Sequence, residues 1–139
     1  MKCPVDKQVM MVVEHRRIEL DYCHKCSGVW LDSGELELLI AVLVSEGAKA
    51  PEMEPDQEKP TGKRRCPICG LKMDRAWVEP VHRVLIDQCP AGHGLWFDAG
   101  ELQHVLRDLV PPGSPQSQDV LSFLGEAFRA AHGQGALKS

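Results

Sequence analysis

Cys23-His24-Lys25-Cys26-Ser27-Gly28-Val29-Trp30-Leu31-Asp32-Ser33-Gly34-Glu35-Leu36 returns 66 residues later as Cys89-Pro90-Ala91-Gly92-His93-Gly94-Leu95-Trp96-Phe97-Asp98-Ala99-Gly100-Glu101-Leu102. At that constant offset the cysteine, tryptophan, aspartate, glycine, glutamate and leucine coincide. Upstream, Cys3-Pro4-Val5-Asp6 answers Cys66-Pro67-Ile68-Cys69-Gly70, with three extra residues between the halves of the second copy. The chain is therefore two copies of one small unit.

Its 139 residues allow one ordinary domain or a few very small ones. A hydrophobic fraction of 43% is too high for a wholly disordered chain. No apolar run follows Met1-Lys2-Cys3, so no signal peptide is expected. The longest apolar stretch, 38–44, has seven residues, where a bilayer needs about 20. A soluble, cytoplasmic protein without membrane contact is the expectation, and in a reducing compartment clustered cysteines point to metal before disulfides. Sixteen basic against twenty acidic residues leave a net charge of −4, which argues weakly against a dedicated nucleic-acid binder.

Each unit reads alike. A Cys-Pro turn opens it, and two β-rich runs follow: 9–13 and 18–22 in the first copy, 72–78 and 83–88 in the second. Polar or proline-containing turns split each pair, as in a hairpin. A second cysteine-bearing turn comes next, then Trp-Leu/Phe-Asp, then a helix. Asp32 with Glu35, and Asp98 with Glu101, form a capping-box arrangement in which each side chain can satisfy free backbone N–H groups. Leu36, Leu39, Ile40 and Leu43 recur at helical spacing, as do Leu102, Val105, Leu106 and Leu109. Gly47 is the expected stop of the first helix, and Pro111-Pro112 that of the second. Unit 1 thus spans 1–47 and unit 2 spans 63–111. Between them, 48–62 is acidic and rich in proline and reads as a flexible, extended linker. A third helix is expected over 117–132, with Val120, Leu121, Leu124, Phe128 and Ala131 on one stripe.

Units of roughly 45 residues bury too little apolar surface to fold securely alone. In the second, Cys66-x2-Cys69 is followed after 19 residues by Cys89-x3-His93. Paired ligand turns around a hairpin are the signature of a four-coordinate structural zinc site. Proline stiffens the first turn and Gly70 lets the chain reverse beneath the metal. His93 stands one residue beyond the place of Cys26, an offset that the longer reach of imidazole absorbs. The first site offers Cys3, Cys23 and Cys26, with Asp6 in the place of a fourth cysteine. A carboxylate oxygen binds zinc at about 2.0–2.2 Å, so Asp6 is the preferred fourth ligand, with His24, His15 or water as alternatives. Two zinc sites are expected, the second firmer than the first.

The pattern Cys-Pro-x-Cys, hairpin, Cys-x-x-Cys-x-Gly-x-Trp-Leu-Asp-x-Gly-Glu-Leu resembles the transcription factor IIB-type zinc-finger family of small bacterial zinc-ribbon proteins. The resemblance implies a small α+β metal-bound fold: two tandem zinc-ribbon β-hairpin units, each with a trailing α-helix, to which the C-terminal helix is added. Asp6 and the Cys89-x3-His93 spacing depart from the four-cysteine form of that family.

Among functions, catalysis is the least supported. Catalytic zinc keeps three protein ligands and an open position, whereas the second site has four candidates. Glu35 and Glu101 are explained as cap residues, and His82 and His104 as surface or packing residues. Nucleic-acid binding rests on Lys63, Arg64, Arg65, Lys72, Arg75 and Arg83 around the second hairpin, with Arg16, Arg17 and Lys25 near the tips of the first and Trp77 exposed for stacking. Protein interaction is favoured. The first helix carries Leu36, Leu38, Leu39, Ile40, Val42, Leu43 and Val44, more apolar surface than one ribbon needs, and self-association or a protein partner would cover it.

Overall fold

Alternation of apolar and polar residues builds each hairpin. Ile18, Leu20 and Tyr22 turn inward while Glu19 stays in water, so the strand buries one face and solvates the other. The computed structural model describes residues 1–15, 18–43, 51–78 and 84–109, together with 113, 115 and 122. Its elements in chain order are β1 (Met11–His15), β2 (Ile18–Tyr22), β3 (Val29–Asp32), α1 (Glu35–Leu43), β4 (Met53–Pro55), β5 (Thr61–Arg65), β6 (Lys72–Val78), β7 (Val84–Gln88), β8 (Gly94–Phe97) and α2 (Glu101–Asp108). The fold is small α+β, with two hairpin-plus-helix units as expected. The first hairpin keeps its ladder further than read from the sequence: Glu14 and His15 pair with Glu19 and Ile18. The extra residues of the second copy fall in the connection between β6 and β7.

The two units are not beads on a string. They share one antiparallel sheet, ordered β1-β2-β3-β8-β7-β6-β4, with β5 also on β6. The seam is β3 against β8, where Trp30 faces Trp96, its own repeat counterpart, and Val29 and Leu31 face Phe97 and Leu95. Pairing of equivalent residues makes the seam an internal two-fold axis. Glycines fit it together: a Cβ on Gly28 would lie 2.2 Å from the Trp96 ring, and one on Gly94 would lie 2.7 Å from the Trp30 ring. Each unit leaves out a side chain to seat the other unit's indole.

The helices cover one face of the sheet, α1 over β2 and β3 and α2 over β7. Leu36, Leu39 and Ile40 of α1, with Leu102, Val105 and Leu106 of α2, are all buried in a single core drawn from both units. Full burial of each such side chain contributes about 1.5–3 kcal/mol. The opposite face carries a second apolar cluster of Met10, Trp30, Met73 and Trp96, packed with Cys3, Cys23, Cys66 and Cys89.

The helix starts differ from the capping box in one respect. Glu35 and Glu101 accept the backbone N–H of Asp32 and Asp98 at 2.8 and 3.0 Å, as the motif requires. The aspartate side chains, however, turn to the tryptophans: Trp30 Nε1–H donates to Asp32 at 2.8 Å and Trp96 Nε1–H to Asp98 at 3.2 Å. Residues two apart on a strand share a face, so each carboxylate lies beside a buried indole N–H that has first claim on it. Burial pushes both Glu35 and Glu101 up to about 7.

Within 48–62, the stretch read as a flexible linker, β4 lies on the outer edge of β6 and Thr61 opens β5. Met53 packs against the core and Asp56 is buried, its carboxylate 3.6 Å from Arg75 Nε. Trp77, read as exposed, is half-buried opposite Glu54. Gly47, Pro111-Pro112, Arg16, Arg17, His82, Arg83 and, apart from Ser122, the helix over 117–132 lie outside the described residues.

Because a Cβ at residue 28 meets a buried ring, Gly28→Ala is expected to cost about 1–3 kcal/mol. A thermal or urea melt of the zinc-loaded variant checks this; an unchanged midpoint would contradict the interlock.

Candidate metal centres

Each centre is built from two tight turns that aim sulfur at a common point. In the first turn of unit 1, Cys3 N–H donates to Gln8 O at 2.7 Å, Lys7 N–H to Cys3 O at 3.0 Å, and Val5 N–H to Cys3 Sγ at 3.3 Å. Unit 2 repeats this: Cys66 N–H to Leu71 O at 2.8 Å, Gly70 N–H to Cys66 O at 2.9 Å, and Ile68 N–H to Cys66 Sγ at 3.4 Å. The reversal needs a left-handed residue, supplied by Gly70 at φ 78° and by Lys7 at φ 66°; only glycine takes it without steric cost.

The second turns are closed by Cys23 N–H to Gly28 O at 3.0 Å and Cys89 N–H to Gly94 O at 3.1 Å. Inside them the units diverge. Ser27 N–H reaches back four residues to Cys23 O, whereas Gly92 N–H reaches only three to Cys89 O. The tighter second turn carries the chain past the place of Cys26 and brings the His93 ring to the centre.

All eight residues proposed from the sequence converge, as two groups of four: Cys3, Asp6, Cys23 and Cys26, and Cys66, Cys69, Cys89 and His93. Within each group the ligand atoms lie within 4.8 Å of one another. In the first, Cys3 Sγ is 3.6 Å from Cys26 Sγ and Cys23 Sγ is 3.4 Å from Asp6 Oδ2. In the second, Cys69 Sγ is 3.6 Å from Cys89 Sγ, and His93 Nδ1 is 3.4 Å from Cys89 Sγ and 4.0 Å from Cys66 Sγ. A tetrahedral ion with Zn–S of about 2.3 Å and Zn–N or Zn–O of about 2.0–2.2 Å spaces its ligands about 3.4–3.8 Å apart. The 3.4–3.6 Å separations match those edges, the His93–Cys66 distance of 4.0 Å is slightly longer, and all are far from a disulfide's ~2.05 Å; the cysteines are free thiols. Three sulfurs with one oxygen or one nitrogen suit a borderline-soft ion, so both groups can hold zinc. Of the alternatives for the first site, His24 points to solvent outside the group, and the His15 side chain lies outside the described residues.

The first cysteine of every turn is buried, while Asp6, Cys26 and His93 are half-buried and Cys69 is exposed. Burial pushes the Cys3 thiol up to about 12 and Cys66 up to about 11, and raises Cys26 as well. At Cys89 burial also acts upward, but the N–H groups of His93 and Ala91 and the His93 ring bring it down to about 6. For Asp6, burial is outweighed by the Gln8 N–H, 3.0 Å from Oδ1, and by the Cys23 thiol, which lower it. Most of these sulfurs thus hold their protons at neutral pH until a metal takes them.

The basic residues of the second hairpin fare differently. Arg64, which the sequence suggested for phosphate, bonds Asp98 and stands 3.5 Å from Asp87. Arg75 faces Asp56, and Arg65 donates to Gly70 O at 3.0 Å, bracing the metal turn. Lys63 and Lys72 remain exposed. Sequence reasoning missed Arg64's part in closing the seam side of unit 2, because its partners lie 23 and 34 residues away.

A family described as transcription factor zinc-finger matches residues 2–42 and 65–108, more than half of the chain and both units. No curated protein and no solved structure matches it.

Cys89→Ser is expected to remove one of two zinc equivalents and unfold unit 2, and Asp6→Ala to weaken the other; metal analysis and zinc competition titration read both, and unchanged affinity in Asp6→Ala would exclude Asp6 as a ligand. Since Cys3 and Cys66 hold protons to about 12 and 11 without metal, zinc uptake at pH 7 must release protons, and affinity must rise with pH. Calorimetry in buffers of different ionisation enthalpy measures that release directly.

Proposed function

The chain belongs to the transcription factor zinc-finger family, and on that premise we propose that it is a non-catalytic, zinc-scaffolded protein whose first helix docks a partner protein. Zinc at Cys3, Asp6, Cys23 and Cys26, and at Cys66, Cys69, Cys89 and His93, contributes the folding free energy that small units lack. Four protein donors at each centre favour a structural over a catalytic ion, which needs an open position.

The observation that carries the docking reading is a difference between the repeats. On α2, His104, which is exposed, and Asp108, which is half-buried, stand 3.5 Å apart. At the equivalent places α1 carries Leu38 and Val42, which are 56% and 41% exposed. A shared frame with one polar and one apolar outer helix marks the apolar one as a contact surface. The nucleic-acid reading keeps Lys63, Lys72 and Arg65, but Arg64 and Arg75 are engaged by Asp87, Asp98 and Asp56, which lowers the positive field that a phosphate backbone would meet.

The test titrates zinc-loaded protein into labelled single- and double-stranded oligonucleotides at low and moderate salt, beside a pull-down with wild type and Leu38→Lys/Val42→Lys. Negligible nucleic-acid binding and a protein retained by wild type but lost by the variant are expected. Binding that weakens steeply with salt and disappears in Lys63→Glu/Lys72→Glu would replace this reading with the nucleic-acid one.

A further inference from the structure

Both units carry the same three acids beside their tryptophans, and only one unit neutralises them. Asp21, Asp32 and Glu35 of unit 1 return as Asp87, Asp98 and Glu101 of unit 2, at the offset of 66. The first aspartate stands opposite the tryptophan on the neighbouring strand, Asp21 by Trp30 and Asp87 by Trp96. The second accepts the indole N–H of that same tryptophan. In unit 2 a guanidinium lies between them: Arg64 bonds Asp98, stands 3.5 Å from Asp87 and acts on Glu101. Arg75, opposite Asp87 on β6, adds a second positive charge. Asp87 is buried beneath this cover, and Asp98 and Glu101 are half-buried.

Unit 1 lacks both cations. Val12 stands opposite Asp21 where Arg75 stands opposite Asp87. Lys2 bridges Val9 as Arg65 pairs with Lys72, so Met1 holds the place of Arg64. The Met1 amino group acts on Asp21, but less than the charge of Asp32 does. Asp32 and Asp21 both act on Glu35, so the three acids form one negative group. Asp32 is exposed and Asp21 and Glu35 are half-buried, which leaves the group open to solvent. Among the described residues no arginine or lysine pairs with any of the three.

We propose that Asp21, Asp32 and Glu35 receive the guanidinium of an arginine on a partner protein, in the place that Arg64 fills in unit 2. This rests on the reading of α1 as a docking surface and names what the partner brings. Glu35, Leu38 and Val42 lie at i, i+3 and i+7 on α1, one stripe of the helix. The partner therefore presents an arginine beside apolar side chains. The strand register that sets Arg64 between two carboxylates is the same in unit 1. A planar guanidinium can donate to both carboxylates at once, which a compact ammonium does less well. Its charge also relieves the repulsion among three neighbouring acids.

The two indole N–H groups report on the two places separately. Isotopically labelled, zinc-loaded full chain is titrated with a capped leucine-alanine-arginine-alanine-leucine peptide, and with the same peptide carrying neutral citrulline for arginine. The Trp30 indole N–H resonance should shift with the arginine peptide and stay still with the citrulline one. The Trp96 resonance should stay still in both, because Arg64 already holds Asp98. Asp21→Asn/Glu35→Gln should weaken the Trp30 response about tenfold or more, with zinc content unchanged, since glutamine still accepts the Asp32 N–H. A silent Trp30, equal shifts at both indoles, an equal effect of citrulline, or a response that survives the double variant would each overturn the proposal. The first would give the place of Arg64 to the Met1 amino group. The pull-down with Leu38→Lys/Val42→Lys judges docking by itself: a protein retained through α1 while Trp30 stays silent keeps that reading and ends this one.

Discussion

The molecule turns on four residues facing four. Where β3 meets β8, a tryptophan from each unit stands opposite its own counterpart, and each indole rests where the other unit has only a glycine hydrogen. Everything else is arranged around this seam. Above it, leucines from both helices close one core; below it, the same two rings pack among the buried sulfurs of both centres. Neither unit owns a complete hydrophobic interior.

That arrangement changes the energetic role of the metals. A hairpin with one helix is too small to be stable through burial alone, and a zinc knot is the usual remedy. Here each knot also fixes the strand that its neighbour packs against. The turn holding Cys23 runs straight into Gly28 and Trp30, and the turn holding Cys89 runs into Gly94 and Trp96. The buried cysteines of both centres thus pack in one cluster with both indoles.

Much of this was legible in the residues. The hairpins announce themselves by alternation, the helices by leucine spacing, and the two four-residue groups by paired turns around a hairpin. Asp6 and His93 each join three cysteines in one group, the second because the shorter turn at Gly92 brings the imidazole in one residue later. What escaped was long-range. Val29-Trp30-Leu31 is buried on both faces, so it lacks the alternation that marks a strand. The prolines of 51–60 suggested a loop, although proline is well tolerated on an edge strand. Asp32 and Asp98 looked like caps because the motif does not record that an indole N–H lies two residues upstream on the same face. No local pattern says that two units will share a sheet.

Joining the halves covalently has a consequence beyond stability. A symmetric dimer built on the same seam would fall apart on dilution and would carry every surface in duplicate. Fusion places each half at an effective concentration near the millimolar range for the other, so the seam no longer depends on how much protein is present. It also frees the two halves from having to be identical. One group can offer a carboxylate where the other offers an imidazole, and one helix can stay polar while its twin turns apolar. The duplicated chain keeps the geometry of a homodimer while escaping the homodimer's obligation to do everything twice.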